Sequence, residues 1–120
     1  MTTIFNPSGE VITVPDPTPA ELSAAMVEAC LRAVLRSIKD GKLTGTFCPD
    51  PLSKYRAEWG PLFTGCDLIE VQIYCAGDPT HEERTAAWTR MRELGHEPLI
   101  AIHEKPEAIS YDLTIEVAND

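Results

Sequence analysis

Asp67-Leu-Ile-Glu-Val-Gln-Ile-Tyr-Cys-Ala76, Thr80-His-Glu-Glu-Arg-Thr-Ala-Ala-Trp-Thr-Arg-Met-Arg-Glu-Leu94, Leu99-Ile-Ala-Ile-His103 and Ile109-Ser-Tyr-Asp-Leu-Thr-Ile-Glu-Val117 follow one another with only short breaks. The first and last stretches alternate apolar and polar side chains, the period of a half-buried strand. Ile69, Val71, Ile73 and Cys75 share one face of the first, and Tyr111, Leu113, Ile115 and Val117 one face of the last. Between them, Thr80 and Glu83 have capping-box spacing, Ala87, Trp88, Met91 and Leu94 recur at helical spacing, and Gly95 supplies the stop. The order over 67–117 is therefore strand, helix, strand, strand. A right-handed crossover is expected if the strands flanking the helix are parallel, and an antiparallel hairpin between the last two strands.

Upstream, Thr18-Pro19-Ala20-Glu21 opens a second helix, with Pro at the first helical position, where its missing N–H costs nothing. The expected helix occupies 18–40 and ends before Gly41. Leu22, Met26, Val27, Cys30, Leu31, Val34, Leu35 and Ile38 cover most of its circumference, so it needs cover on more than one side, from its own domain or from another subunit. Residues 1–15 read as a hairpin: Asn6-Pro7-Ser8-Gly9 is turn chemistry between two β-prone arms. Two strands alone are marginal in water, so this hairpin should lie on the main sheet or on a neighbouring subunit.

Residues 41–66 read as a Pro-rich aromatic loop, with Asp50-Pro51-Leu52-Ser53 able to cap a helical turn or two. The segment is apolar enough to serve as a lid over the sheet or as a recognition surface, with Phe47, Tyr55, Trp59 and Phe63 as the partner-binding anchors. The whole is a single α+β domain over 1–120: two helices packed on a mixed or antiparallel sheet, with an N-terminal β-hairpin.

Charge bounds the partners. Of the net −9, residues 61–120 contribute four basic against twelve acidic side chains, while residues 1–60 are nearly balanced. Such a field opposes direct binding to nucleic acid. No apolar run is long enough to span a bilayer and no signal-peptide pattern opens the chain, so no membrane partner and a cytoplasmic location are expected.

Chemical signatures are sparse. The spacing of cysteines and histidines matches no zinc motif, and neither a metal nor a cofactor is expected. Cys48 and Cys66 bracket the aromatic segment, and a disulfide between them would close a loop of about 18 residues, contributing roughly 3 kcal/mol in the chain-entropy account. Cys75, just before a helix N-terminus with His81 nearby, is the best candidate for a reactive thiol, although its place in the inward series Ile69-Val71-Ile73 equally suits a core residue.

The early helix (Glu21 to Arg36), the later strand and helix (Leu68 to Leu94) and the terminal strand (Tyr111 to Val117) resemble, in their order, small phage neck proteins of the tail-terminator and tail-completion type. The chain departs from that layout in its Pro-rich segment, where those proteins place further strands. The resemblance implies a ring in which sheets and helices of neighbouring subunits lie side by side, and it carries no site residues. The leading expectation is a non-enzymatic, homo-oligomeric assembly protein acting through protein contacts, a virion component. The alternatives are a small acidic inhibitor occupying a basic, nucleic-acid-binding groove on a partner, and a small thiol enzyme using Cys75 and His81.

Overall fold

A computed structural model describes residues 2–5, 7–14, 18–49, 54–63, 67–104 and 107–117, with only the backbone considered for 2–5, 12–14 and 107–108. Nine elements follow in chain order: β1 (Thr2–Phe5), β2 (Val11–Val14), α1 (Pro19–Lys39), β3 (Gly45–Phe47), β4 (Tyr55–Pro61), β5 (Leu68–Ala76), α2 (His81–Glu93), β6 (Leu99–Ile102) and β7 (Glu107–Glu116). The architecture is α+β, with two helices and a five-stranded antiparallel sheet ordered β3-β4-β5-β7-β6.

Both helix boundaries follow from local chemistry. Thr18 caps α1 by accepting from the Glu21 N–H, and Thr80 and Glu83 close a reciprocal capping box on α2. Gly41 and Gly95, at φ 89° and 94°, take the left-handed conformation that ends each helix. Ser23 meets Glu83, and five residues further along α1 Glu28 meets Arg90, so the two helices run parallel. Arg90, and within α1 Arg32, bond the Glu28 carboxylate and hold it below its ordinary range; the Arg90 bond ties α1 to α2.

The register builds the inner face of the sheet in rows. Directly opposed residues of an antiparallel sheet point to the same side. Tyr55, Cys75 and Ile109 form one row, Ala57, Ile73 and Tyr111 the next, and Trp59, Val71 and Leu113 the third. All nine are buried, and Val27, Cys30, Leu31 and Val34 of α1 with Ala87 and Met91 of α2 close the core above them. The apolar circumference of α1 is thus covered by the sheet below and α2 beside it, leaving Leu22 exposed.

β7 lies between β5 and β6 and runs antiparallel to both, so β5 and β6 are parallel to each other without being neighbours. The last two strands do form the antiparallel pair expected from the sequence.

The described part of residues 41–66, expected as a loop, is largely strand. It contains β3 and the seven-residue β4, and no helical turn forms over Tyr55–Glu58. The prolines do not oppose this: Pro49 lies in the connection, Pro61 is the last residue of β4, and Tyr55–Gly60 between them carries no proline. Tyr55, Ala57 and Trp59 point inward while Arg56 and Glu58 are half-exposed, a period-2 pattern with the aromatic residues strands favour.

β1 and β2 pair with each other, setting Ile4 opposite Ile12 and Phe5 opposite Val11. They form a sheet of their own, and among the described residues their backbone makes no extended contact with the helices or the five-stranded sheet. The protein is correspondingly long, 56 × 36 × 26 Å, with a radius of gyration of 16.5 Å, against about 14 Å for a compact chain of this length. Asn6, on which the expected turn depends, lies outside the described residues.

Candidate functional site

Two of the inner-face rows do not stop at the edge of the core. Ile109 is paired with Ile102 and Tyr111 with Ile100, so both isoleucines of β6 lie on the side of the sheet that carries the helices. Yet Ile102 is 87% exposed and Ile100 42%, while Ile109 and Tyr111 are buried. The helical layer ends before the sheet does. α1 packs over β3, β4 and β5, α2 packs beside it, and nothing among the described residues covers β6.

The uncovered strip is a groove of about 420 Å³ between α2 and β6, lined by His81, Arg84, Thr85, Trp88 and Ile100. Its wall is fixed in place. Trp88 Nε1 donates to the Pro98 carbonyl oxygen at 3.1 Å, and the Arg92 guanidinium lies 4.9 Å from the Trp88 ring centre. On the other face of β6, Leu99 is 76% exposed. Among the described residues the outer backbone of β6 has no strand beside it, and the sequence Leu99-Ile-Ala-Ile102 has none of the charges or prolines that usually protect an edge.

The open face of the sheet is polar. Arg56 reaches Glu58 at 3.5 Å and stacks 5.0 Å above the Tyr74 ring, which faces His103 at 5.5 Å. Ser110 accepts from His103 Nε2 at 2.7 Å and donates to Asp112 at 2.6 Å. Serine, histidine and carboxylate meet here in the wrong order for nucleophilic catalysis, because Asp112 bonds the serine and does not orient the imidazole. The contacts brace β5, β6 and β7 together.

Where both helices begin, polar groups are buried behind the sheet end. The Ser23 and Tyr55 hydroxyls share a 2.6 Å hydrogen bond, Ser23 also reaches Glu83 at 3.4 Å, and Lys54 meets Glu83 at 3.5 Å. The Thr80 backbone N–H holds the Glu83 carboxyl below its ordinary range. Cys75 is fully buried beside this cluster, and burial pushes its thiol up, the reverse of what a thiolate nucleophile needs. His81 is exposed on the first turn of α2 and lines the groove instead.

The four aromatic residues expected to anchor a partner divide. Tyr55 and Trp59 are core residues, Phe47 is half-buried against that core, and only Phe63, 68% exposed, faces solvent. Tyr55 and Trp59 are therefore not interface anchors: as inward residues of β4 their side chains are spent on the interior, and Trp59 Nε1 is bonded to the Lys42 carbonyl oxygen at 3.1 Å. Cys48 is exposed, and Cys66 lies outside the described residues.

The residues that sequence reasoning missed are Trp88, Leu99, Ile100 and Ile102. A signal existed: Leu-Ile-Ala-Ile is apolar at every position, whereas β7 alternates, and an unbroken apolar strand is one that expects cover on both faces. Among the described residues there is no helix long and apolar enough to cross a membrane and no cluster of side chains suited to a metal ion. No family model matches the chain, and no curated protein or solved structure matches it.

Proposed function

We propose that this protein is a non-enzymatic assembly subunit acting through protein–protein contacts, homo-oligomeric, and a component of a phage virion built in the host cytoplasm, in the neck, the tail or associated with the capsid. The observation that carries the reading is the apolar edge at β6: Ile100 and Ile102 continue the core rows beside the groove walled by Trp88, and Leu99 is exposed on the opposite face. A contiguous apolar strip on a strand edge is what an interface looks like before its partner arrives. The two strands in residues 41–66 add support, since they lie where the resemblance to tail-terminator and tail-completion proteins calls for strands.

Light scattering on the native protein, with and without reductant, tests this. An assembly subunit gives a closed oligomer well above 13.2 kDa; a monomer at every concentration would sink the reading. Loss of the oligomer on reduction would place cysteines at the joints.

A second reading, an acidic inhibitor, is favoured by a different feature. A hollow of about 280 Å³ on the open face is lined by Glu58 and Glu70 with Trp59, Gly60, Pro61 and Gln72, in a chain of net charge −9. A monomer whose binding to a basic protein collapses with added salt would favour it over assembly.

A further inference from the structure

The chain has two unsatisfied elements. The β1–β2 hairpin is a two-stranded sheet separate from the main one, its backbone in no extended contact with it among the described residues, a state marginal in water. β6 is an edge strand whose side chains Leu99 and Ile102 are largely exposed and whose outer backbone has no neighbouring strand among the described residues.

We propose that each satisfies the other between copies: the N-terminal hairpin of one subunit docks on the β6 edge of the next, over the groove walled by Trp88 and Arg84. The inference rests on the assembly reading and specifies its joint.

Two observations favour a second copy's hairpin as the occupant. The lengths agree, since β1, β2 and β6 are each four residues long, so one hairpin strand can satisfy the whole edge by backbone hydrogen bonding, the general mode of strand addition. The chemistry agrees, since Ile4, Phe5, Val11, Ile12 and Val14 make the hairpin strands apolar and Val11 is 60% exposed. The charges do not oppose the contact, since residues 1–17 carry no Lys or Arg, while Arg84 lines the groove. Hairpin and edge are different surfaces, so the contact is heterologous: each subunit gives one hairpin and receives one, which closes a ring or propagates a filament.

The test uses two full-length variants. Ile12→Pro removes a strand N–H from the hairpin, and Ile102→Glu places a charge at a position already 87% exposed. Far-UV circular dichroism checks that both stay folded, and light scattering reads mass. The expected result is an oligomeric parent, monomers of 13.2 kDa for each variant alone, and twice that mass when the two variants are mixed. Only the mixture pairs an intact hairpin, from Ile102→Glu, with an intact edge, from Ile12→Pro.

Variants that remain oligomeric would overturn the hairpin joint and leave the assembly reading standing. Loss of oligomer in Ile102→Glu alone would point to a symmetric β6–β6 contact and overturn it too, as would variants that fail to complement. A monomeric parent would overturn both the joint and the assembly reading.

Discussion

Ser23 and Tyr55, 32 residues apart in the chain, meet in a 2.6 Å hydrogen bond buried between α1 and the first residue of β4. The bond fixes the start of the helix over the start of the strand, and burial keeps the Tyr55 hydroxyl protonated far above its ordinary range. Ser23→Ala leaves the Tyr55 hydroxyl buried without that partner and should cost about 1–3 kcal/mol of stability. The double variant with Tyr55→Phe should cost less than the sum of the single changes, as read by urea denaturation. Additive losses would mean the two hydroxyls are not coupled.

Tyr111 makes the opposite case. It is fully buried, and its hydroxyl has no hydrogen-bond partner among the described residues. Removing a buried polar group that nothing satisfies should help, so Tyr111→Phe is expected to leave stability unchanged or raise it by about 1 kcal/mol or more. A loss comparable to that of Ser23→Ala would reveal an unrecognised partner.

Gly45 lies opposite Trp59 in the β3–β4 pair, and the indole ring occupies the space a side chain would need. A Cβ at Gly45 would stand 2.8 Å from Trp59 Cζ2. Gly45→Ala must therefore displace the ring and strain its bond to the Lys42 carbonyl oxygen, at a cost of about 1–3 kcal/mol. A shift in Trp fluorescence with no loss of the main sheet by circular dichroism would locate the damage at β3. Unchanged fluorescence and stability would show that β3 adapts freely.

The cysteines should separate by exposure. At neutral pH an alkylating reagent is expected to modify Cys48 rapidly, while Cys30 and Cys75, both fully buried, react only through unfolding. Mass spectrometry at successive times reads this, and early labelling of Cys75 would revive the thiol-enzyme reading. The same burial gives an alkaline limit. Cys30 moves from 9.0 up to about 12, so between those values the unfolded chain releases a proton that the folded chain keeps. Stability is full below pH 9.0 and falls as pH rises through that window. Tyr55 and Tyr111, also raised by burial, add to the fall above pH 10.0. A Cys30→Ala variant should lose stability less steeply there; an identical slope would remove Cys30 from the cause.

Local patterns carried most of the fold. Thr18 and Thr80 mark their helices because a cap is decided within four residues, and β5 and β7 declare themselves because one face is buried and the other open. The strand at Tyr55–Pro61 was hidden behind punctuation: Pro49, Pro51 and Pro61 suggest disruption, although they lie around that strand or at its end. The exposed apolar edge was harder still. Tyr55, Trp59 and Ile102 are all large apolar residues on strands, and which of them faces solvent depends on where α1 and α2 stop covering the sheet. That is a property of the assembled layers; the unbroken apolar run at Leu99–Ile102 says that β6 expects cover, but not that the chain's own helices fail to supply it.

The position of β7 has a consequence for synthesis. It is the last described strand, yet it occupies an interior place in the sheet, with β5 on one side and β6 on the other. While the chain is emerging from the ribosome, β5 can pair with β4 on one side only and β6 has no strand of the sheet to pair with, because the strand that joins them has not been made. Cooperative folding must therefore wait for residues 107–116, and until then both edges are open to other nascent chains. Crowding on one message is thus a hazard, and slow release followed by folding in dilute solution should give the higher yield of native protein.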